Sequence, residues 1–372
     1  NISRAMKHTL LLLLLTVCLC CRCTPHDTEP AIRNVIFMIG DGMGLAQVTA
    51  LSAEGDYAPI PFDRAEVIGL QKTYSANNRV TDSAAAGTAL ATGSKTDNGT
   101  IGLAPDGSPL ESALQVAASH DKATGIVVTY SPLDATPAAF VAHTADRYDF
   151  EGTALQYVTC GVDVIAGSGP QYFNRRSDGR DLIAEMEARG YTFAADKAAL
   201  LGATHTPLLA LLPDESLPYA VDDSLNLRGD YLAEATAKAI ALLEASGKKG
   251  FFLMVEGSLI DKAAHRNDYE GMMAEMRDFS RAVDVACDYA DAHPGTLVVV
   301  TGDHETGGLS LLSPDPDFVT GNNGLVGRFA TDSHSGTFVP VYAYGTGAER
   351  FGGMMENSDL GNRLKQIAAG TR

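Results

Sequence analysis

Four short apolar runs, each followed by a turn and then by an acidic residue or a histidine, constrain the fold of this chain more than any other feature. They lie at residues 35–39, 125–129, 251–255 and 297–300. Continuous runs rich in Val, Ile and Leu are typical of parallel strands that are buried on both faces of a sheet. The pattern therefore predicts an α/β fold with a large, mostly parallel central sheet.

The residues that follow these runs are of the kinds that bind metal ions. Asp41, Asp134 and Glu256 follow the first three runs, and Asp303 and His304 follow the fourth. In open α/β sheets, ligands bind just beyond the carboxyl ends of the strands. Carboxylates and imidazoles gathered at one sheet edge cannot all stay charged and unpaired, because burying an isolated charge is costly. The sequence therefore predicts a cation site at this edge.

Strand and helix patterns alternate from residue 32 onward, as expected for an α/β protein. Further strands are predicted at residues 66–70, 162–166, 208–212 and 338–344, and helices at 83–91, 111–120, 181–189, 231–246 and 272–292. The alternation is weakest at residues 191–229 and 312–335, which we expect to be surface excursions. We predict that residues 31–372 form a single domain.

The net charge of −18 restricts the partners that the chain can bind. No run of Lys or Arg forms a basic patch, so we expect no nucleic-acid binding and no attraction to an anionic membrane surface. If the substrate is an anion, the field near it must be reversed locally, and bound divalent cations would do this.

Residues 1–30 have the pattern of a leader rather than of a folded domain. Met6, Lys7 and His8 form a basic segment, and the leucine run at residues 10–15 forms an apolar one, as in a signal peptide. The apolar segment is much shorter than the ~20 residues that span a bilayer. A metal knuckle is an alternative for the cysteines that follow, but no His or Cys partner lies at ligand spacing; they are Cys18, Cys20, Cys21 and Cys23.

We interpret residues 1–30 as a signal peptide and tether with a cysteine that could be acylated, as in bacterial lipoproteins. This predicts an exported protein of the bacterial envelope, either periplasmic or anchored to the membrane by an N-terminal lipid. The remaining cysteines are Cys160 and Cys287, and either a disulfide or two free thiols fits the sequence. Two cysteines do not form the disulfide framework of a small secreted domain.

Ser83 lies at the predicted start of a helix and is followed by a row of small side chains, Ala-Ala-Ala-Gly. Ser and Asp are both favoured helix N-caps, so a purely structural role is one interpretation. The other is a nucleophilic hydroxyl at a position where the helix dipole favours an anion. Small neighbours would let a phosphoryl group approach the backbone N–H groups.

Two further segments carry candidate metal ligands. Asp261 and His265 are four residues apart, which on a helix places them on one face at a usual spacing for two ligands of one zinc ion. A surface ion pair is the alternative, but the buried strand before them argues against a solvated face. His334, in a loop before the last predicted strand, is a further candidate.

Arg147, thirteen residues after Asp134, is a candidate for binding an oxyanion. Its planar guanidinium matches two phosphate oxygens. A lone arginine is usually a surface residue, so this interpretation depends on the residues that surround it.

Taken together, these segments resemble the alkaline phosphatase family. The motifs are Asp-Ser-Ala-Ala-Ala-Gly-Thr-Ala around Ser83, Glu-Gly-Ser-Leu-Ile-Asp before His265, and Gly-Asp-His ending at His304. The resemblance implies a three-layer sandwich with helices on both faces of the sheet and one alkaline phosphatase catalytic domain at residues 31–372. It implies hydrolysis of small phosphate monoesters, inhibition by the product phosphate, and a homodimer that is allowed but not required.

The resemblance also implies a role for each site residue. Ser83 would be the nucleophile and phosphoserine carrier, Arg147 the phosphate clamp, and Lys262 a residue that reaches phosphate through water and pairs with Asp134. Two zinc ions and one magnesium are expected, because mixed His/Asp sets favour zinc and all-oxygen sets favour magnesium. The expected ligands of one zinc are Asp261, His265 and His334. Those of the other zinc are Asp41, Asp303 and His304, joined by Ser83 during the reaction. Magnesium is expected to bind Asp41, Thr136 and Glu256, with Asp134 in or near its water shell.

The chain departs from some members of this family. Asp134 and Lys262 match the enteric bacterial type, whereas the animal type has histidines at those positions. Thirty positions separate His304 from His334, which is too few for the large crown-like insert of the animal members. Residues 305–308, Glu-Thr-Gly-Gly, differ from the enteric enzyme.

Three rival functions remain to be compared. Phosphodiesterases of the same superfamily often carry Thr as nucleophile and lack the arginine clamp, whereas this chain has Ser83 and Arg147. A sulfatase would need a Cys or Ser followed by x-Pro-x-Arg, which Ser83 lacks. A non-catalytic phosphate- or zinc-binding lipoprotein would have lost the nucleophile or a ligand, and all of the expected residues are present.

Overall fold

A ten-stranded sheet runs through the part of the chain that the structure describes. The structure, a computed structural model, describes residues 31–213, 216–222, 228–315 and 324–371. The predicted leader at residues 1–30 lies outside this part. From Ile32 onward the described residues belong to one compact unit. None of their helices combines the length and the hydropathy that crossing a membrane requires.

The strands are short and mostly apolar. They are β1 (Asn34–Gly40), β2 (Val67–Lys72), β3 (Ala123–Val128), β4 (Val164–Ser168), β5 (Thr192–Ala194), β6 (Leu208–Leu212), β7 (Phe251–Gly257), β8 (Thr296–Gly302), β9 (Glu305–Thr306), β10 (Ser310–Leu312), β11 (Val326–Arg328), β12 (His334–Ser335), β13 (Val339–Gly345) and β14 (Gly353–Glu356). The central sheet has the order β14-β2-β13-β8-β1-β7-β3-β4-β6-β5. Strand β13 is antiparallel to both of its neighbours, and the other neighbouring pairs of this sheet are parallel. The prediction of a mostly parallel sheet is confirmed.

The helices cover both faces of the sheet. They are α1 (Leu45–Glu54), α2 (Ser83–Thr92), α3 (Ala113–Ser119), α4 (Ala135–Ala138), α5 (Phe150–Tyr157), α6 (Gln171–Asn174), α7 (Leu182–Glu187), α8 (Lys197–Gly202), α9 (Tyr231–Glu244), α10 (Leu259–His265), α11 (Tyr269–Ala292) and α12 (Asn357–Ala368). Alternate residues of β1 enter two separate apolar clusters, one packed on α2, α3 and α12 and the other on α1, α9 and α11. The predicted three-layer α/β sandwich is therefore confirmed.

The four apolar runs form four adjacent strands, in the order β8-β1-β7-β3. Their register aligns Gly40 with Gly257 on one side and with Gly302 on the other. Val128 of β3 lies opposite Glu256. Since these strands end at one level, the residues that follow them meet at a single edge of the sheet.

The expectation of a surface excursion at residues 191–229 is wrong for its first half. The strand predicted at residues 208–212 is confirmed as β6, and it and β5 extend the central sheet. All five residues of β6 are buried. Strand β5 has only three residues, which is too short for a periodic pattern to be visible in the sequence. Residues 223–227 lie outside the described part. In the 312–335 region, β11 and β12 pair with β10 and β9 outside the central sheet.

Cys160 and Cys287 are not bonded to each other. The alternative of two free thiols is the one that the structure shows. Burial raises the pKa of the Cys160 thiol to about 11 and that of Cys287 to about 12, so both are protonated at neutral pH.

Candidate active site

Ser83 is the first residue of α2, as the sequence predicted. Asp82 is the N-cap, and its Oδ1 accepts a hydrogen bond from the backbone N–H of Ala85 at 2.9 Å. All residues of α2 are buried. A side chain at Gly87 would place its Cβ 3.0 Å from the Cα of Thr136. Small residues therefore let α2 pack closely against α4 and hold the Ser83 hydroxyl at the sheet edge.

Asp41, Asp303 and His304, which we call the inner triad, meet at the ends of β1 and β8. Each has a side-chain ligand atom within 4.8 Å of those of the other two. His304 Nε2 lies 3.1 Å from Asp303 Oδ2, 3.4 Å from Asp41 Oδ1 and 3.1 Å from Ser83 Oγ. The nucleophile candidate therefore lies directly beside the inner triad.

The backbone holds one carboxylate of the inner triad, that of Asp303, and the charge of Asp303 disfavours the ionised form of Asp41. Asp303 Oδ1 accepts from the N–H of Gly42 at 3.1 Å and from that of His304 at 2.9 Å. Burial, reinforced by the charges of Asp303 and Asp261, raises the pKa of Asp41 well above its usual value. A cation at this point would remove the repulsion that disfavours the ionised carboxylates.

Asp261, His265 and His334 form a second group, the outer triad, also with ligand atoms within 4.8 Å of one another. Helix α10 presents Asp261 and His265 on one face, with His265 Nε2 3.3 Å from Asp261 Oδ1. The short strand β12 brings His334 to the same point, with its Nε2 3.6 Å from Asp261 Oδ1. The predicted i, i+4 pair and the distant histidine are thus brought together.

The imidazoles of the outer triad are oriented for a metal ion. The Nδ1 of His265 lies 2.6 Å from the carbonyl oxygen of Asp332, and that of His334 lies 2.8 Å from the carbonyl oxygen of Thr81. A carbonyl only accepts, so each Nδ1 carries a proton, and in the neutral ring Nε2 then offers the lone pair. The two Nε2 atoms lie 3.1 Å apart. This is close to the ~3.3 Å edge of a tetrahedron whose Zn–N bonds are ~2.0 Å.

The charges in the outer triad suit the same purpose. Burial and the nearby His304 lower the pKa of His334 to about 4, so its ring is neutral at physiological pH, as a metal ligand must be. Burial alone would raise the pKa of Asp261, but the hydrogen bond to His265 and the charges of the surrounding imidazoles hold it below its usual value. The hydrogen bond to Asp261 raises the pKa of His265, so its ring becomes a metal ligand only after it has lost its Nε2 proton. The resulting set of one carboxylate and two imidazoles is one that zinc favours.

Thr306 joins the two triads. Its Oγ1 donates to Asp261 Oδ1 at 2.5 Å and lies 3.2 Å from His304 Nδ1. Because the hydroxyl proton points to Asp261, the oxygen is left to accept from His304 Nδ1, which turns the Nε2 lone pair toward the inner triad. Thr306 also pairs with His334 in the β9–β12 ladder. One residue therefore orients ligands of both triads.

Glu305 holds β12 in place through hydrogen bonds of its carboxylate. Its carboxylate accepts from Gln47 Nε2 at 3.0 Å, from the N–H groups of Gly308 at 3.1 Å and Leu309 at 3.0 Å, and from the Ser335 hydroxyl. It is buried, and Ser335 pairs with it across the ladder. The position of β12, which carries His334 of the outer triad, thus depends on the carboxylate of Glu305.

The third set of candidate ligands offers oxygen atoms only. It consists of Asp41 after β1, Thr136 in α4 and Glu256 in β7, and we call it the oxygen set. Asp41 Oδ1, Thr136 Oγ1 and Glu256 Oε1 are buried and have no hydrogen-bond partner among the described residues. Burial, with the charges of Asp134 and Asp303, raises the pKa of Glu256 to about 8. Buried oxygens without partners are costly unless a cation binds them. Their chemistry fits a hard ion such as magnesium.

The phosphate-clamp candidate, Arg147, is fixed by two carboxylates. Its Nη1 donates to Asp82 Oδ2 at 3.1 Å, and its Nη2 lies 3.6 Å from Asp134 Oδ1. Lys262 Nζ contacts the other oxygen of Asp134 at 3.1 Å, which is the expected pairing. Burial alone would raise the pKa of Asp134, but Lys262 and Arg147 hold it below its usual value.

A cavity of about 630 Å³ opens above the site. Ser83, Arg147, Lys262 and the outer triad all reach its surface. The structure brings the predicted site residues together at the sheet edge. The sequence interpretation missed Asp82 as the partner of Arg147, and it saw Glu305 and Thr306 only as a departure from the enteric enzyme.

This chain is similar over most of its length to known alkaline phosphatases. A family model described as alkaline phosphatase matches residues 32–326. Alkaline phosphatase 4 of Bacillus subtilis (strain 168) is 35% identical to this chain, over 90% of this chain and 88% of that protein. The streptomycin-6-phosphate phosphatase of Streptomyces griseus is 32% identical, over 96% and 95%.

Solved structures of alkaline phosphatases are also similar to this chain. The alkaline phosphatase of the Antarctic bacterium TAB5 matches with a TM-score of 0.83 and 34% identity, over 92% of this chain and 99% of that one. A variant of that enzyme in which a histidine is replaced by aspartate, with Mg bound in the M3 site, matches equally well.

A serine beside paired triads in a mostly parallel sheet places the chain among the metal-dependent hydrolases. The matches make the assignment narrower: the chain belongs to the alkaline phosphatase family. It is a phosphoric monoester hydrolase, and the predictions of fold, family and enzyme class are confirmed.

Proposed function

We propose that the enzyme hydrolyses small phosphate monoesters through a phosphoserine on Ser83, with zinc in the inner and outer triads and magnesium in the oxygen set. The observation that carries this proposal is the 3.1 Å contact between Ser83 Oγ and His304 Nε2. It places the hydroxyl beside one triad, in a cavity that the other triad also lines.

Zinc ions in the two triads would supply Lewis-acid stabilisation of the attacking and leaving oxygens in an in-line displacement. The Ser83 hydroxyl loses its proton and Oγ attacks phosphorus; the bond to the alcohol oxygen breaks, and that oxygen takes up a proton as the alcohol leaves. Water then attacks the phosphoserine and releases inorganic phosphate, so that one ester and one water give one alcohol and one phosphate. Ser83 is restored for the next cycle.

Arg147 is expected to hold the non-reacting phosphate oxygens. Asp82 and Asp134 fix its terminal nitrogens. Burial alone would lower the pKa of the guanidinium, but the charges of these two carboxylates raise it, so Arg147 stays protonated. The start of α2 adds the positive end of a helix dipole. Both features bind product phosphate as well as substrate, and we therefore expect phosphate to inhibit.

Lys262 is the second cation near the substrate. Its Nζ contacts Asp134 and lies 5.1 Å from the ring centroid of Tyr130. Asp134 follows β3 next to the oxygen set, and its charge raises the pKa of Glu256. We infer that Asp134 supports the water shell of magnesium and that Lys262 reaches phosphate through water.

The named relatives support the choice of a monoester substrate and of magnesium. One of them is a streptomycin-6-phosphate phosphatase, and the TAB5 variant with aspartate in place of histidine carries Mg in its M3 site. The leader predicted at residues 1–30 supports export to the periplasm or anchoring to the membrane.

The test is a comparison of a phosphate monoester with a phosphate diester, at neutral and at alkaline pH, with and without a chelator. We expect hydrolysis of the monoester only, loss of activity on chelation, and loss in Ser83→Ala but not in Ser119→Ala, a control at the end of α3. Monoesterase activity that survives both chelation and Ser83→Ala would rule out the mechanism. Equal rates on both esters would favour the phosphodiesterase alternative.

A further inference from the structure

The cavity extends well beyond the groups that a phosphate ion needs. Its volume is about 630 Å³, and its lining includes three aromatic side chains, Tyr130, Tyr148 and Phe150, which we call the aromatic wall. Asn78 and Asn98 also line the cavity. Specific ligand pockets combine apolar and aromatic surface with a few polar groups, so this lining has room and chemistry for the alcohol part of a substrate.

Tyr148 is the most exposed member of the wall. The residue is 72% exposed, although it follows the phosphate-clamp residue directly. The guanidinium carbon of Arg147 lies 5.6 Å from the centroid of its ring. Since Arg147 is expected to hold the phosphate, a ring next to it is within reach of the group attached to that phosphate.

Ring contacts and backbone hydrogen bonds hold the ring of Tyr148 in place. It meets Phe150 edge to face at 6.5 Å between centroids, and Phe150 meets Tyr172 at 4.9 Å. The N–H of Tyr148 donates to Asp146 Oδ1 at 2.9 Å, and that of Phe150 donates to the Tyr148 carbonyl at 2.9 Å. A supported ring loses little conformational freedom when a ligand stacks on it.

The charges next to Tyr148 disfavour a second anion there, because the cation beside its ring, Arg147, is already paired with Asp82 and Asp134. Asp146 and Asp149 flank Tyr148 and are exposed, and the whole chain carries a net charge of −18. A second anionic group on the alcohol would be repelled here, whereas an uncharged ring would bury apolar surface and stack on the tyrosine face.

We propose that Tyr148, supported by Phe150, forms a subsite for an uncharged aromatic ring in the alcohol part of the substrate. The enzyme would accordingly prefer phosphate monoesters of nucleosides or aryl alcohols to those of aliphatic alcohols. This inference rests on the proposed function, because it assumes that phosphate is bound by Arg147 and transferred to Ser83.

The first arm of the test compares adenosine 5′-monophosphate with methyl riboside 5-phosphate. Both esters have the same primary alcohol as leaving group, and only the base is missing from the second. We expect Tyr148→Ala to reduce the preference in kcat/KM for the nucleotide roughly three- to tenfold, through KM, since an aromatic contact contributes about this much. Tyr148→Phe, which keeps the ring, should retain the preference.

The second arm tests whether the subsite accepts an aryl ring that is attached close to phosphorus. Phenylphosphonate and ethylphosphonate are compared as competitive inhibitors, so no difference in leaving group enters. If Tyr148→Ala weakens only phenylphosphonate, the subsite accepts a ring close to phosphorus. If it affects only the nucleotide preference, the subsite accepts a ring held farther away. Either result supports the proposal.

Two controls separate this subsite from the rest of the site. Inhibition by inorganic phosphate should be the same in Tyr148→Ala as in the wild type, because phosphate does not reach the wall. Tyr57 is 66% exposed and lies outside the cavity lining, so Tyr57→Ala should leave every ratio unchanged. The molecular mass in solution is measured for each variant by light scattering.

Unchanged ratios in Tyr148→Ala, in both arms, would overturn the proposal. So would a loss of ring preference that is accompanied by a change in molecular mass, since Tyr148 would then belong to a contact between two copies of the chain. Failure of the proposed function is recognised separately, because the wild-type enzyme would then hydrolyse neither of the two monophosphates.

Discussion

The two triads are alike in ligand chemistry and differ in how the fold holds them. In the inner triad, Asp41 is 1% exposed, and Asp303 and His304 are fully buried. In the outer triad, the side chains of His265 and His334 are 36% and 12% exposed. The inner ligands follow two adjacent strands of the central sheet, whereas the outer ligands come from a helix and a two-residue strand.

The two triads are therefore held in place by different kinds of interaction. The register of β1 and β8 fixes the inner triad, and changing that register would disrupt the core of the sheet. The outer triad depends on a few hydrogen bonds made by Glu305 and Thr306. We therefore expect the inner triad to be preformed and intolerant of change, and the outer triad to be more easily emptied and more easily restored.

The largest effect is expected from His304→Ala. The substitution removes an inner ligand and leaves a buried space that water cannot enter freely, so added zinc should not restore the site. We expect kcat/KM to fall roughly 10³-fold or more, since a catalytic metal supplies several kcal/mol. Steady-state kinetics with increasing zinc would check this, with His120→Ala at the end of α3 as the control. Recovery of activity at high zinc would contradict a preformed inner triad.

A smaller and reversible effect is expected from His265→Ala. Because this side chain lies at the cavity surface, a water molecule can take its place on the metal. We expect activity at limiting zinc to fall roughly 10²-fold and to recover in large part when zinc is added. Zinc content after dialysis, measured by mass spectrometry, should fall from two ions to one. A loss that excess zinc does not reverse would show that the two triads do not differ in this way.

Thr306→Val tests the contact between the triads. Valine keeps the shape of the side chain and removes the hydroxyl that Asp261 and His304 share. We expect zinc to bind roughly ten- to a hundredfold more weakly, as when other ligand-orienting residues are lost. Thr306→Ser restores the hydroxyl and should restore the affinity. Equal zinc affinity in the wild type and Thr306→Val would mean that Thr306 has no orienting role.

The smallest effect is expected from Ser335→Ala, which removes one hydrogen bond to Glu305 beneath β12. We expect the free energy of unfolding to fall by about 1 kcal/mol. Zinc loss on mild chelation should become faster for one ion only. Denaturant unfolding and a chelation time course measure the two quantities. Equal acceleration for both ions would show that Glu305 does not act on the outer triad alone.

The parts of the site that the sequence predicted are those with a local pattern. The four buried strands were visible as apolar runs, and Asp261 and His265 were visible because four residues make about one helical turn. The family motifs then supplied the residues between them. Roles for individual ligands stay predictions until they are tested as described above.

The parts that the sequence did not predict depend on contacts between distant segments. Asp82 meets Arg147 across 65 positions, and Thr306 meets Asp261 across 45. Nothing in the sequence near Asp82 distinguishes a helix cap from a partner of the clamp, since the same carboxylate does both. Strand β5 was missed because three residues are too few to show the alternating hydrophobic pattern of a strand.

The central claim is that Ser83 carries the phosphoryl group. The most direct measurement is to mix the enzyme with a phosphate monoester, quench with acid in the steady state, and locate phosphate in the digested protein by tandem mass spectrometry. The account predicts one phosphorylated peptide, modified at Ser83, and none in Ser83→Ala. Phosphate on another residue, or full turnover with no phosphorylated enzyme at any time, would contradict it.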